Sequence, residues 1–173
     1  MAFWTILATA LLVALDQAAK HLALALKDMP GKTYKLWEGV LHLSYVENRG
    51  AAFGFFQGQM ALFYITTAIL FAGIAWAFWK IRPMPPLLRI SLIAILAGGI
   101  GNLIDRIRLG YVIDFLEIKL FTFPVFNVAD MLVSCGMVLL CIYIFFFHDA
   151  RFPNGLSGAQ TALKEVKDIK AGE

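Results

Sequence analysis

Hydrophobic residues occur in four long runs that are separated by shorter polar segments. Each run approaches the roughly 20 apolar residues that a membrane-spanning helix requires. The runs lie at about residues 3–26, 60–79, 87–106 and 128–147. The pattern therefore predicts four transmembrane helices.

The connections between the runs differ in character. Residues 80–86 form a short basic turn whose prolines stop the helix. Residues 27–59 are long for a connector and partly alternate, with aromatic and β-branched residues at 33–37 and 40–46. This alternation predicts short strands that rest on the membrane surface. We therefore expect an all-α membrane protein with a small strand-containing extracytoplasmic subdomain.

The composition supports a membrane protein. The 173 residues are 60% hydrophobic and 16% charged, with a mean hydropathy of +0.74, whereas soluble chains are about 45–50% apolar and about 25% charged. We expect one membrane domain over residues 1–150 and a cytoplasmic tail over residues 151–173. The net charge of +3 gives no reason to expect nucleic acid as a partner.

The number of spans restricts the topology. Four spans place both termini on the side of the basic turn, which the positive-inside rule makes cytoplasmic. The opposite side carries about as many basic residues, so charge alone supports this orientation weakly. In either orientation, segments 27–59 and 107–127 share one face of the membrane.

Two aspartates near that face are candidates for chemistry. A charge at the bilayer centre costs between roughly 2.5 and 17 kcal/mol, so an acid beside hydrocarbon is a functional candidate. Asp130 begins the fourth run with Asn127 at i−3, and helix capping explains it as well as catalysis does. Asp114 lies among apolar neighbours, where desolvation and a second carboxylate would raise its pKa. Together they suggest an aspartyl hydrolase.

Polar residues also interrupt the first span. Asp16 and Lys20 are at i and i+4 on one helical face, so they can form an ion pair. They either orient the helix within the bundle or contact the reaction centre.

Two glycine-containing segments carry further candidates. In residues 47–54, Asn48 and Gly50 allow close backbone approach, although an ordinary loop explains them equally well. In the third span, Gly98 and Gly101 form a smooth strip on which another helix can pack. The polar positions that follow this strip are Asn102, Asp105 and Arg106. We expect the neighbouring Arg106 to keep Asp105 ionised, which makes Asp105 a brace rather than a proton carrier.

Other chemistries lack support. The three histidines have no metal-ligand spacing, and no G-x-S-x-G motif or glycine-rich phosphate loop follows a strand. A small proton-coupled carrier remains the competing class. It would distribute acids through the depth of the bundle, whereas only Asp16 is deep here.

Five motifs together resemble the bacterial lipoprotein signal peptidase family, signal peptidase II, over about residues 5–148. In chain order they are Asp16-Gln17-x-x-Lys20, Asn48-x-Gly50-Ala51-Ala52-Phe53, Gly98-Gly99-x-Gly101-Asn102-x-x-Asp105-Arg106, Val112-x-Asp114-Phe115 and Phe126-Asn127-x-Ala129-Asp130.

The resemblance implies an inner-membrane aspartyl endopeptidase that needs no metal or cofactor. Its substrates would be diacylglyceryl-modified prolipoproteins, cut just before the lipidated cysteine, and its site would lie near the extracytoplasmic face in contact with membrane lipid. The family is also the target of cyclic peptide antibiotics of the globomycin type. By matching position, Asp114 and Asp130 would be catalytic. The substrate-binding or supporting residues would be Asp16, Lys20, Asn48, Gly50, Asn102, Asp105, Arg106 and Asn127. A protease that cuts unmodified helices is a second rival, since it would need no lipid on its substrate.

Overall fold

The computed structural model describes residues 2–50 and 59–147. Within them, four helices are long and apolar enough to cross a membrane, which confirms the predicted spans. The helices are α1 (Ala2–Ala23), α2 (Met60–Lys80), α3 (Pro86–Leu109) and α4 (Val128–Phe146). The expected tail, residues 151–173, lies outside the described part of the chain.

The α1–α2 and α3–α4 connections together form an antiparallel sheet in the order β1-β2-β3. Its strands are β1 (Thr33–Trp37), β2 (Leu41–Asn48) and β3 (Val112–Ile118), and two 3-10 turns, Leu24–Asp28 and Pro30–Lys32, precede β1. The first two strands confirm the prediction from alternation. The third was not predicted, because its first four residues are all buried and give no alternating pattern.

Helix α3 is the centre of the bundle, and the other helices pack against it. A Cβ added at Gly98 would lie 2.3 Å from the backbone oxygen of Ala129, and one at Gly101 would lie 2.4 Å from the Asp16 carboxylate. Glycine is therefore required where α1 and α4 approach α3. The predicted packing strip is confirmed.

A turn at the end of α3 directs the chain into β3. Gly110 adopts a left-handed conformation with φ of 77°, and its N–H donates to the Arg106 carbonyl over 3.1 Å, an arrangement typical of helix C-termini. Ile113 and Phe115 then pack with Tyr45 and Ala23 in an apolar cluster under the sheet. This cluster fixes β3, and with it Asp114, over the end of the bundle at which α1 and α3 end and α4 begins.

Candidate active site

Asp114 is buried in β3, with 1% of its surface exposed. Its Oδ1 accepts a hydrogen bond from Asn127 Nδ2 over 2.6 Å, and its Oδ2 accepts one from Asn48 Nδ2 over 2.9 Å. Burial, followed by the charge of Asp130, raises the pKa of Asp114 to about 7, although both hydrogen bonds oppose the rise. This carboxyl group can therefore gain or lose a proton near neutral pH.

Asp130 lies in the first turn of α4 and forms a capping box with Asn127. The backbone N–H of Asp130 donates to Asn127 Oδ1 over 3.0 Å, and the N–H of Asn127 donates to Asp130 Oδ2 over 3.1 Å. The capping interpretation is therefore confirmed. The cap uses only Oδ2 of this carboxylate. The second oxygen, Oδ1, accepts from Asn102 Nδ2 over 2.8 Å and remains available for a further role.

Two carboxamides connect the aspartates. Asn127 Nδ2 lies 3.1 Å from Asn102 Oδ1 and also donates to Asp114, while Asn102 donates to Asp130. Asn127 is fully buried, so water does not compete for these bonds. The network holds both carboxylates at one place where β3 meets α4.

Lys20 lies behind this network with 2% of its surface exposed. Its Nζ is 3.0 Å from Asp16 Oδ2 and 2.9 Å from Asp105 Oδ2, and it donates to Asn102 Oδ1 over 2.9 Å. An ammonium group has three protons to donate, and each has an acceptor here. The buried cation is thus paired with two acids and linked through Asn102 to Asp130.

The prediction that Asp105 pairs with its neighbour Arg106 was wrong. Asp105 forms its ion pair with Lys20 rather than with Arg106, because adjacent residues on a helix do not face each other. Its carboxylate also accepts from Gln17 Nε2 over 3.0 Å and from the N–H of Ile113 over 3.2 Å. These contacts join α1, α3 and β3, as a brace does.

Asp16 joins α1 to the start of α4. Its Oδ1 accepts from the N–H of Ala129 over 2.9 Å, and its Oδ2 contacts Lys20. The ion pair expected from the i, i+4 spacing is confirmed. Asp16 is fully buried behind the site, where its carboxylate satisfies an amide in the first turn of α4.

Both candidate catalytic residues line one cavity of about 670 Å³. The other sequence-predicted residues in its wall are Asn48, Gly50, Asn102 and Arg106. Asp16, Lys20, Asp105 and Asn127 are not in its wall and support the residues that are.

Arg106 brings a positive charge to the cavity wall. Its guanidinium lies 4.3 Å from the centre of the Phe63 ring, and its Nη2 is 3.5 Å from the Gly50 carbonyl. Phe63 also lines the cavity, and sequence reasoning missed it because an aromatic residue inside an apolar span gives no separate signal. Among the described residues, no three His, Cys, Asp or Glu side chains are grouped as metal ligands.

Across the described ranges, the fold and the site together define a membrane protein of four spans. At one end of its bundle, the buried Asp114 and the partly buried Asp130 line one cavity. Comparison with known proteins agrees. The family model of signal peptidase (SPase) II matches residues 8–146. The chain is 41% identical over 143 residues to a lipoprotein signal peptidase of Geobacillus thermodenitrificans, covering 82% of this chain and 89% of that protein. It is 42% identical over 143 residues to one from Clostridioides difficile, covering 82% and 95%.

Solved structures agree with the sequence matches. Two structures described as a bacterial membrane enzyme, at 2.3 Å and 1.9 Å resolution, each give a TM-score of 0.74 at 30% and 29% identity. They cover 84% and 83% of this chain, and 88% and 93% of their own. The chain belongs to the signal peptidase II family. It is a multi-pass bacterial membrane protein of a peptidase family.

Proposed function

We propose that this protein is an aspartyl endopeptidase that removes signal peptides from diacylglyceryl-modified prolipoproteins, cutting just before the lipidated cysteine. The observation that carries the proposal is that Asp114 and Asp130 line one cavity and are joined through Asn127 and Asn102. Membership in the signal peptidase II family supports the substrate class.

One carboxyl group of the pair acts as the general base and the other as the general acid. Like charges at close range resist double ionisation, so the pair holds one proton between them at neutral pH. The ionised member takes a proton from a water molecule, which attacks the scissile carbonyl. The protonated member polarises the carbonyl oxygen and then supplies a proton to the leaving amine. The pKa of about 7 at Asp114 suits this exchange.

Neighbouring donors stabilise the tetrahedral intermediate. Asn102 lines the cavity beside Asp130, and Arg106 brings a guanidinium to the same wall. A preorganised donor aimed at a developing oxyanion contributes about 2.7–4 kcal/mol to catalysis. Asn48 and Asn127 instead hold Asp114, since each donates to one of its oxygens.

The location of the cavity suits a substrate attached to lipid. It opens among apolar side chains where α3 and α4 meet the sheet, and Phe63, Phe126 and Met131 are in its wall. The acyl chains can stay in hydrocarbon while the peptide bond reaches the aspartates. In the proposed orientation, the site faces the extracytoplasmic side of the inner membrane. Both termini lie in the cytoplasm, because four spans place them on the opposite face. A cyclic peptide of the globomycin type would occupy the same cavity.

One assay tests the substrate class. Purified protein is incubated with two versions of one prolipoprotein, with and without the diacylglyceryl group, and the shortened product is measured. The proposal predicts cleavage of the lipidated precursor and at least a hundredfold slower cleavage of the unmodified one. Equal cleavage of both would indicate a protease for unmodified helices. Cleavage of neither, together with proton-coupled uptake in vesicles, would favour the carrier.

A further inference from the structure

A second and larger cavity lies at the opposite end of the bundle from Asp114 and Asp130. It is a cleft of about 1140 Å³ between α1 and α2, with α3 as its floor. Its depth is lined by small and apolar side chains, among them Ala10, Ala14, Phe71, Ala75, Leu96 and Ile100. Both α1 and α2 pack on α3, and the cleft separates them.

The cleft has the length of one membrane leaflet. From Ala2 to Ala14 it follows α1 for about 18 Å, and from Arg89 to Ile100 it follows α3 for about 16 Å, at 1.5 Å per residue. The hydrocarbon core of a bilayer is about 30 Å thick, so one leaflet is about 15 Å. An acyl chain that enters at the α2–α3 turn would therefore end near the midplane.

Positive charge is placed at only one end of the cleft's described wall. Arg82, in the α2–α3 turn, is exposed, and Arg89, in the first turn of α3, is half-buried; both line the cleft. The Arg89 Nη2 lies 3.4 Å from the Met84 carbonyl, which holds the guanidinium at the mouth. Arginine binds phosphate through paired N–H donors. The mouth therefore suits an anionic headgroup at the depth where phospholipid headgroups lie.

We propose that this cleft binds one anionic phospholipid from the leaflet beside the α2–α3 turn. An acyl chain fills the space between α1 and α2, and the phosphate contacts Arg82 and Arg89. A signal-peptide helix is the competing occupant. Its n-region is basic, so it would bring positive charge to the two arginines, and charge complementarity favours the lipid.

The test measures lipid binding to the purified full-length protein in detergent by native mass spectrometry. Phosphatidylglycerol and phosphatidylcholine with identical acyl chains are titrated separately. We expect one phosphatidylglycerol to be retained per chain with at least tenfold higher affinity than phosphatidylcholine. The double variant Arg82→Gln, Arg89→Gln should lose this preference. Lys80→Gln removes a charge at the same end of the bundle but outside the cleft wall, and it should keep the preference.

A second pair of variants tests the location of the acyl chain. Ala75→Phe places a ring in the cleft and should lower the affinity for both lipids at least tenfold. Ala72→Phe, on the same helix but outside the cleft wall, should leave both affinities unchanged. Size-exclusion profiles and thermal unfolding show whether each variant is folded.

Three results would overturn the proposal. Equal affinity for the two lipids would mean that the arginines do not select the headgroup. Equal effects of Ala72→Phe and Ala75→Phe would mean that the lipid lies elsewhere on the surface. Displacement of the retained phosphatidylglycerol by an equimolar signal-peptide helix, with tighter peptide binding in the Arg82→Gln, Arg89→Gln variant, would identify the cleft as a peptide site.

Discussion

The Asn48 carboxamide donates to Asp114 Oδ2 across 2.9 Å, and this bond joins the end of β2 to the carboxylate in β3. The bond stabilises the ionised form of Asp114, because an N–H donor interacts more strongly with a carboxylate than with a carboxylic acid. Burial acts in the opposite direction and dominates, so the pKa of Asp114 remains raised, at about 7. In the proposed mechanism, the balance between these two effects determines the pH at which the aspartate pair loses its shared proton.

The first prediction concerns pH. If catalysis requires one proton on the pair, the kcat/KM for the lipidated precursor should fall as pH rises above about 7. Asn48→Ala removes a bond that favours the ionised form, so its alkaline limb should move to higher pH even if its maximum rate is lower. Each profile is normalised to its own maximum. A limb that stays in place, or moves to lower pH, would contradict the role assigned to this bond.

The second prediction concerns the buried cation. Lys20→Met leaves Asp16 and Asp105 buried without their partner, a change that costs about 3–5 kcal/mol in buried ion pairs. We expect a large fall in thermal stability and in the yield of folded protein. Lys27→Met is the matched control, since Lys27 pairs with Glu47 at the surface and such pairs contribute at most about 1 kcal/mol. Similar losses of stability in both variants would show that the buried ion pairs of Lys20 contribute no more to stability than the surface pair of Lys27.

The third prediction concerns helix packing. A Cβ at Gly101 would meet the Asp16 carboxylate at 2.4 Å, so Gly101→Ala should destabilise the protein by about 1–3 kcal/mol. Gly73→Ala introduces the same methyl group into α2, where no atom of the described residues lies within 4 Å, and it should not destabilise. The two variants are compared by thermal unfolding in the same detergent. Equal stability would mean that α1 and α3 separate without cost at this point.

The fourth prediction distinguishes Asp105 from the proposed catalytic pair, Asp114 and Asp130. Asp105→Asn weakens an ion pair with Lys20 and should mainly lower folding and expression. The fraction that does fold should cleave the lipidated precursor at a rate within about tenfold of that of the original protein, since Asp105 is not in the cavity wall. A well-folded variant without activity would move Asp105 into the active site.

The spans and the candidate aspartates could be predicted because each depends on local sequence. Apolar runs predict helices directly, and Asn127 and Asp130 share a helix face through their spacing alone. The strand β3 could not be predicted from alternation, because burial on both faces removes the period of two. The bond from Asp16 to Ala129 joins positions 113 residues apart, and only the packing of α1 against α4 determines it.

The partner of Asp105 shows the same limit. Sequence places Arg106 next to Asp105, but the helix turns the two side chains apart, and Lys20 from another helix takes the position. Neighbours in the chain were therefore a poor guide to neighbours in the site. The glycine strip in α3 was a better guide, because small residues on one helix face directly predict close packing.

The central claim is that Asp114 and Asp130 together activate the water that cuts the substrate. Its most direct test is the cleavage rate of a lipidated precursor by Asp114→Asn and by Asp130→Asn, each purified and shown to be folded by thermal unfolding. Asparagine keeps the size of each side chain but cannot take up the proton. Both variants should lose at least a thousandfold in kcat, and the double variant should lose little more, because the two residues act as one unit. Cleavage within tenfold of the original rate by either folded variant would contradict the assignment.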